Sequence, residues 1–278
     1  MPLVVIGTPI GNLGDLSTRM IETLRTADVI ACEDTRRTRK LLSHANIPAE
    51  GRLRAVHAHN EDHEAERIVA EVRDGKTVAY ATDAGMPGVS DPGARVVLAC
   101  RLAGLPVEVV PGPSAALAAL ALSGFSADRF VFEGFLPRKG RVRAERLESI
   151  AAEPRTVVIF EAPGRVAATL EDLLAACSGD RLGCVAREIT KLHEDVVHGP
   201  LAHLAELARA SEPRGEHVIV IDGEPVDTSP ASDEAVVAAL REALDRGVSA
   251  RDAAGEVSTG LGVPKRRAYE LAITLRNR

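Results

Sequence analysis

The stretch Val78-Ala79-Tyr80-Ala81-Thr82-Asp83-Ala84-Gly85-Met86-Pro87-Gly88-Val89-Ser90-Asp91-Pro92 passes from an unbroken apolar run into a loop built of glycine and proline. A short apolar run bounded by turn residues reads as a strand buried on both faces. Glycine lets the backbone of such a loop approach a ligand closely, and proline fixes its path. Helical periodicity resumes over residues 93–103, and Asp91-Pro92 reads as the helix start. The unit is therefore strand, ligand-type loop, helix.

The same unit recurs on either side. Strands are expected at 3–7, 29–33, 53–57, 78–82 and 107–110, with helices at 18–27, 35–45, 62–74 and 93–103. That alternation implies a mostly parallel sheet covered on both faces. Two more glycine/proline loops follow strands, Gly7-Thr8-Pro9-Ile10-Gly11-Asn12-Leu13-Gly14-Asp15 and Val110-Pro111-Gly112-Pro113-Ser114-Ala115. Ligands of open α/β sheets bind outside the carboxyl ends of the strands, so the three loops converge on one pocket.

Beyond Pro111-Gly112-Pro113 the pattern changes. Ser114 can cap a helix running to about residue 122. Strands are expected at 130–134, 156–161, 183–188, 196–199 and 217–222, and helices at 141–152, 165–176 and 201–210. No helix separates the strands at 183 and 196, which points to a mixed sheet. Residues 223–232 are a Pro/Ser/Asp-rich linker. Three short helices follow, at 233–246, 249–259 and 265–276, a unit of helix-turn-helix size. The expected organisation is an N-terminal α/β lobe (1–112), a C-terminal α/β lobe (113–224) and a small helical domain (233–278).

Composition narrows the function classes. The chain has 45% hydrophobic residues but only two tyrosines, five phenylalanines and no tryptophan, so aliphatic side chains must fill its cores. Its longest apolar run, residues 115–122, is far below the roughly 20 residues of a spanning helix. No basic, apolar leader precedes the first strand, and a cytoplasmic protein with no membrane association is expected. Cys32, Cys100, Cys177 and Cys184 form no CxxC pair and read as reduced core thiols. His57 and His59 lack a neighbouring carboxylate or cysteine that would complete a metal site, and no metal is expected. The net charge of −6 argues against a general nucleic-acid coat. Basic runs at Arg36, Arg37, Arg39 and Lys40, at Arg138, Lys139, Arg141, Arg143 and Arg146, and at Lys265, Arg266 and Arg267 nevertheless suggest local polyanion-binding surfaces.

The loops match neither GxGxxG nor GxxxxGK[ST], so nicotinamide dinucleotides and nucleoside triphosphates are not implied. A ligand held by backbone hydrogen bonds and apolar contacts suits them better. Together with Cys32-Glu33-Asp34-Thr35-Arg36, Phe160-Glu161-Ala162-Pro163 and Ala186-Arg187-Glu188-Ile189-Thr190-Lys191, they resemble the tetrapyrrole-methylase-fold (class III) methyltransferases. The likeness covers nearly the whole chain and is strongest to the branch that 2′-O-methylates small-subunit ribosomal RNA. It implies a two-lobed homodimeric enzyme with S-adenosylmethionine in the cleft between the lobes, acting on a cytidine of 16S RNA. Carried over by motif, Pro9 lines the cofactor pocket, while Asp83, Ala84, Gly85, Val89 and Ser90 contact the methionine end or ribose. Ser114 and Ala115 wall the sulfonium side, and Leu136, Ala186 and Arg187 enclose adenine with the Gly215-Glu216-His217 turn. Met86 stands where threonine is commoner in such loops.

A ribose hydroxyl is a poor nucleophile, so a proton acceptor would help. Glu33, Asp34, Asp83 and Glu188 are candidates at strand ends, and Lys191 is one if burial lowers its pKa. Residues do not choose among them. Glu33 and Asp34 also suit a helix start, where carboxylates favour the helix dipole. Arg36, Arg37 and Lys191 are expected to hold RNA backbone, with Arg138 and Lys139 as a basic lid and Lys265, Arg266 and Arg267 as further contacts. Aromatic stacking platforms are scarce, so recognition would depend on a folded RNA surface. Two rival readings stand beside this one: a same-fold methyltransferase acting on a tetrapyrrole or a protein, and a ligand-sensing regulator whose helical tail binds nucleic acid.

Overall fold

A computed structural model describes residues 1–49, 51–177, 179–212, 214–225 and 231–276. Half of the expected linker, 226–230, lies outside the described residues. The chain divides into two compact units, Met1–Glu224 and Pro225–Arg278.

In the first unit, β1 (Leu3–Ile6), β2 (Val29–Cys32), β3 (Leu53–Ala55), β4 (Val78–Ala81) and β5 (Val107–Val110) form a parallel sheet of order β3-β2-β4-β1-β5. Every residue of β1, β2 and β4 is buried, as their unbroken apolar runs require. Alternate side chains feed two cores. Leu3, Val5, Ala31, Val78 and Tyr80 pack towards α3 (Glu61–Arg73) and α4 (Ala94–Leu102). Val4, Ile6, Ile30, Ala79 and Ala81 pack towards α1 (Thr18–Thr26) and α2 (Thr35–His44). Strand order reverses between β4 and β1, so their following loops meet there.

Two local expectations are corrected by side-chain hydrogen bonds, one local and one long-range. β3 stops at Ala55, short of residue 57, because Asn60 turns the chain: its amide donates to the Ala55 carbonyl and its Oδ1 accepts from the His57 N–H at 2.7 Å. Asp91-Pro92 does not open α4. The cap position is Gly93, with φ 135°, and the Glu61 carboxylate accepts from the Gly93 and Arg95 amides at 2.8 and 3.0 Å.

A second sheet, of order β6-β7-β10-β8-β9, comprises β6 (Phe130–Phe135), β7 (Thr156–Glu161), β8 (Leu182–Arg187), β9 (Asp195–Pro200) and β10 (His217–Ile221). β6 pairs parallel to β7 and the other pairs are antiparallel, so the sheet is mixed. Its one face carries α6 (Arg141–Ala151), α7 (Val166–Ala176) and α8 (Leu201–Ala210) over Val157, Ile159, Ile219 and Ile221. Against the other face packs α5 (Ala115–Ser123), which Ser114 caps directly after the β5 loop. That core also takes in Ile10, so the first loop is joined to the second sheet.

The second unit is α9 (Asp233–Asp245), α10 (Ala250–Leu261) and α11 (Lys265–Arg276), around Val236, Leu240, Ala253, Ala254, Val257, Ala268 and Ala272. Among the described residues no helix is long and apolar enough to cross a membrane.

Candidate functional site

The three glycine/proline loops do meet. Thr8 and Gly85 exchange backbone hydrogen bonds of 2.9 and 3.1 Å, and the Gly7 N–H donates to the Val110 carbonyl at 2.9 Å. The Thr8 hydroxyl, buried beneath them, donates to the Thr82 carbonyl at 3.2 Å. Gly7 and Gly112 lie so close that a Cβ on Gly112 would fall 2.4 Å from the Gly7 carbonyl oxygen. Only glycine permits that approach.

These loops form one wall of a cavity of about 320 Å³, with Ile10, Ala84, Gly85, Met86, Val89, Ser90, Asp91, Ser114 and Ala115. The opposite wall is Phe135, Phe160 to Pro163, and Glu216 to Val218. A neighbouring recess of about 270 Å³ shares Ile10, Ala84 and Glu216 with it and adds Pro9, Gly11, Arg37, Lys40, Thr82, Asp83 and Lys191. The inner cavity is largely apolar with carboxylates in its wall. The recess has basic side chains at its edge.

Of the residues expected at a cofactor, Ala84, Gly85, Val89, Ser90, Ser114, Ala115, Glu216 and His217 wall the cavity, and Pro9 and Asp83 wall the recess. Four stand elsewhere. Leu136 is 2% exposed and packs in the core beneath α6 and α7, while the Ala186 side chain faces α5. Arg187 points to the opposite face of its sheet, into a cleft of about 640 Å³ beside α7 and α8 that shares Pro163 and His217 with the cavity. Gly215, at φ 80°, supports the Glu188 side chain. Ile10, Asp91 and the run Phe160 to Pro163 line the cavity without having been assigned to it. For Phe160 to Pro163 the signal was available, as a small-residue and proline stop directly after a strand.

The acid–base candidates separate by environment. Burial, and then the Asp83 carboxylate, push the Glu33 carboxyl above its ordinary range. Asp34 goes the other way. It caps α2, accepting from the Arg36 N–H at 2.8 Å, and takes the Arg36 guanidinium at 2.7 and 3.1 Å, which holds it down at about 2. For Lys191 burial works against the charge, but hydrogen bonds to Glu188 (2.7 Å) and Glu216 (3.0 Å) outweigh it and raise its pKa. Lys191 is a cation at neutral pH, opposite to what a base would need. Glu188, with φ 52°, is held below its usual range by the Lys191 ammonium and the Glu216 amide. The Lys191 stem lies against Gly11, so this pairing also closes the second lobe onto the first loop. Burial pushes His217 down, leaving a neutral imidazole.

The basic runs are less free than their sequence suggests. Arg36 is held by Asp34, and Arg37 lies 3.3 Å from Asp83. Arg143 is inward-facing: it bonds Asp172, the Thr169 hydroxyl and the Pro137 carbonyl. Arg141 and Arg146 pair with Glu145 and Glu133. Arg138 and Lys139 are exposed and make no ion pair among the described residues. On α11, Arg266 pairs with Glu270 and Arg267 with Asp233, and Lys265 is exposed. No group of three or more His, Cys, Asp or Glu side chains among the described residues could hold a metal ion. Cys32, Cys100 and Cys184 are buried free thiols, and burial raises each.

Known proteins are similar to this chain in sequence and in fold. The family model for Tetrapyrrole (Corrin/Porphyrin) Methylases matches residues 2–205. A Synechocystis protein named ribosomal RNA small subunit methyltransferase I is 41% identical, over 98% of this chain and 98% of its own. One of the same name from Xylella fastidiosa is 45% identical, over 96% of this chain and 97% of its own. Two solved structures share the fold at lower identity. Cobalt precorrin-4 methyltransferase is 20% identical with a TM-score of 0.60, over 80% of this chain and 94% of its own. Thermus thermophilus uroporphyrin-III C-methyltransferase, solved with S-adenosylhomocysteine, is 22% identical with a TM-score of 0.57, over 80% of this chain and 97% of its own. By the family match and by identity along almost its full length, this chain belongs to the tetrapyrrole (corrin/porphyrin) methylase family, among the relatives named ribosomal RNA small subunit methyltransferase I.

Proposed function

We propose that this chain transfers a methyl group from S-adenosylmethionine to the 2′-hydroxyl of a cytidine in 16S RNA of the small ribosomal subunit. The observation that carries this reading is the pairing of an apolar, acid-lined cavity with a basic-edged recess opening beside it. The names of the near-full-length relatives support the same RNA. The cavity suits the cofactor: Phe160, Ile10, Val89 and Val218 offer apolar walls for a nucleoside, and Ser90 and Ser114 offer hydroxyls. Gly85, at φ 80°, presents bare backbone there, where a Cβ would stand 3.6 Å from Ile10. Ala84, Gly85, Val89 and Ser90 would hold the methionine end and ribose, and Ser114 and Ala115 the sulfonium side. Ala162, Pro163, Glu216 and His217 would enclose adenine, with the Ala186, Arg187 and Gly215 backbone and Leu136 behind them. Pro9 and Asp83 would shape the passage to the recess.

Bound there, S-adenosylmethionine supplies an electrophilic methyl group, and the protein's task is alignment, which recovers roughly 7–11 kcal/mol of barrier in well-oriented systems. Glu33, with its raised pKa, receives the hydroxyl proton or orients the ribose. Asp34 is committed to Arg36 and fixes the start of α2. Lys191, Arg36 and Arg37 position phosphates at the recess, and Arg138 and Lys139 add contacts from a basic lid. The helical unit offers Lys265, Arg266 and Arg267 to RNA. The enzyme works as a cytoplasmic homodimer on an assembled or nearly assembled subunit.

The test supplies radiolabelled S-adenosylmethionine with small subunits, naked rRNA or total protein from a strain lacking the enzyme. Alkali-stable label in a 2′-O-methyl dinucleotide of small-subunit RNA is the expected outcome. Label confined to protein or small molecules overturns the RNA assignment.

A further inference from the structure

We propose that the Asp91 carboxylate is the counter-charge for a cationic group of the methyl donor, its sulfonium or its ammonium. This rests on the cofactor reading above and adds to it a residue that the cofactor motifs leave unassigned. Asp91 walls the cavity directly after Ser90, whose φ of 60° is unusual for a residue with a side chain. It is free to do so because Glu61, from α3, has taken over the cap of α4.

The charged neighbours that act most strongly on Asp91 are carboxylates. Glu33 reaches towards it from the end of β2, Asp83 from the β4 loop and Glu216 from the edge of β10. The nearby cations are already committed: Arg37 to Asp83 and Lys191 to Glu188 and Glu216. Asp91 itself makes no ion pair among the described residues. Just beyond β4 the hydroxyl of Thr82, a residue 2% exposed, turns towards Asp91 and favours its charged form, with no other hydrogen-bond partner among the described residues. Tyr80, buried below, has an unpartnered hydroxyl and shares this field with Glu61, Cys32 and Glu33. Of the other titratable groups on the cavity wall, Glu161 is bound to Arg165 and Thr169, and burial pushes His217 below its usual range.

A half-buried carboxylate among carboxylates, backed by a buried hydroxyl and open to an apolar cavity, is a place for a cation. Without one, burial and then the Glu33 and Asp83 charges push Asp91 up to about 6. A bound sulfonium or ammonium reverses this, so below pH 6 donor binding releases the Asp91 proton to solvent. By linkage, affinity falls about tenfold per pH unit well below that pKa. Sulfonium and ammonium differ experimentally, because S-adenosylhomocysteine retains only the ammonium.

Titration calorimetry of the full chain with S-adenosylmethionine and with S-adenosylhomocysteine, from pH 5 to 8, tests this in wild type and Asp91→Asn. Wild type is expected to bind S-adenosylmethionine about tenfold more weakly at pH 5 than at pH 8. Asp91→Asn should bind it at least tenfold more weakly at pH 8 and lose most of that pH dependence. A loss shared by both ligands assigns the ammonium, and a loss for S-adenosylmethionine alone assigns the sulfonium. Thermal melting at pH 8 should show the unliganded variant at least as stable as wild type, since a repelled charge is gone. If Asp91→Asn fails to fold, buffers of different ionisation enthalpy count the protons released by wild type at pH 5.5, and none released overturns the proposal. Equal affinity and pH profile in the two proteins overturn it while leaving the cofactor reading intact. Absence of S-adenosylmethionine binding to wild type at every pH overturns both.

Discussion

Substituting Gly112 by alanine tests whether the close approach of two loops sets the geometry of the whole site. The new Cβ would stand 2.4, 2.5 and 2.8 Å from the carbonyl oxygen, carbonyl carbon and Cα of Gly7, against 3.4 Å for ordinary contact. All three atoms are backbone, so no side chain can turn aside. The β1 and β5 loops must part by about 1 Å, and overpacking of this kind destabilises by about 1–3 kcal/mol. In a unit of this size each kcal/mol lowers Tm by about 2–4 °C, so a fall of roughly 2–12 °C is expected. Activity should suffer more. Ser114 and Ala115, two and three residues beyond Gly112, wall the cavity that Ile10 of the other loop also walls. A displacement of about 1 Å between aligned reacting groups lowers rates by about 10²-fold. Methyl incorporation into small-subunit RNA, read with a thermal melt, measures both. Gly260→Ala, which adds the same methyl where nothing lies within 4 Å, is the control. A Gly112→Ala enzyme with wild-type Tm and turnover would refute the claim that this contact sets the site.

Three further substitutions probe separate parts of the molecule. Glu33→Gln should lower turnover by about 10²–10⁴-fold with cofactor affinity kept. Because Glu33 titrates above the ordinary carboxyl value of 4.5, the wild-type rate should rise with pH through that raised pKa, and the variant should lose this acid limb. Arg181, with a side chain 1% exposed, donates to the carbonyls of Ile150, Ala151, Glu153 and Asp222 and pairs with Glu224. Arg181→Met strands those acceptors and should destabilise by about 3–5 kcal/mol in denaturant titration, without altering KM for RNA in the folded fraction. Replacing Arg138 and Lys139 together by alanine should raise KM for RNA and flatten its salt dependence by about one to two units of the log–log slope, with cofactor binding unchanged. An unaltered slope removes these residues from the RNA interface.

The parts of this molecule legible in its sequence are those decided by neighbours along the chain. β1, β2 and β4 are unbroken apolar runs because both of their faces are covered, and the missing helix between β8 and β9 marks the antiparallel pair. Arg143 shows the limit. It sits in a basic run, but shares a helical face with Leu147 and Ile150, and that spacing turns it inward. The periodicity was visible and the charge run obscured it. Asp91 was illegible for another reason. Asp-Pro before a helical segment is a good local start signal, and it fails because a carboxylate 32 residues earlier occupies the cap. Nothing adjacent to Asp91 reports that Glu61 reaches it.

The two charge signs in this site answer two opposed demands. A polyanionic substrate favours basic side chains, while a cationic methyl donor is repelled by them. On the proposed reading the protein separates the two by place: Asp91 in the cavity wall under the Glu33 charge, and Arg37, Lys40 and Lys191 in the wall of the recess. Arg36, Arg37 and Lys191 are each held by carboxylates, so their positive field is damped towards the cavity and their geometry is fixed before RNA arrives. A phosphate must then share these cations with their carboxylates, which makes them orienting groups more than sources of affinity. Exposed, unpaired Arg138 and Lys139 have no such competitor. On the proposed reading, affinity for RNA is concentrated in Arg138 and Lys139, alignment in the recess and selection of the donor in the cavity. This division explains how a chain of net charge −6 can act on a polyanion.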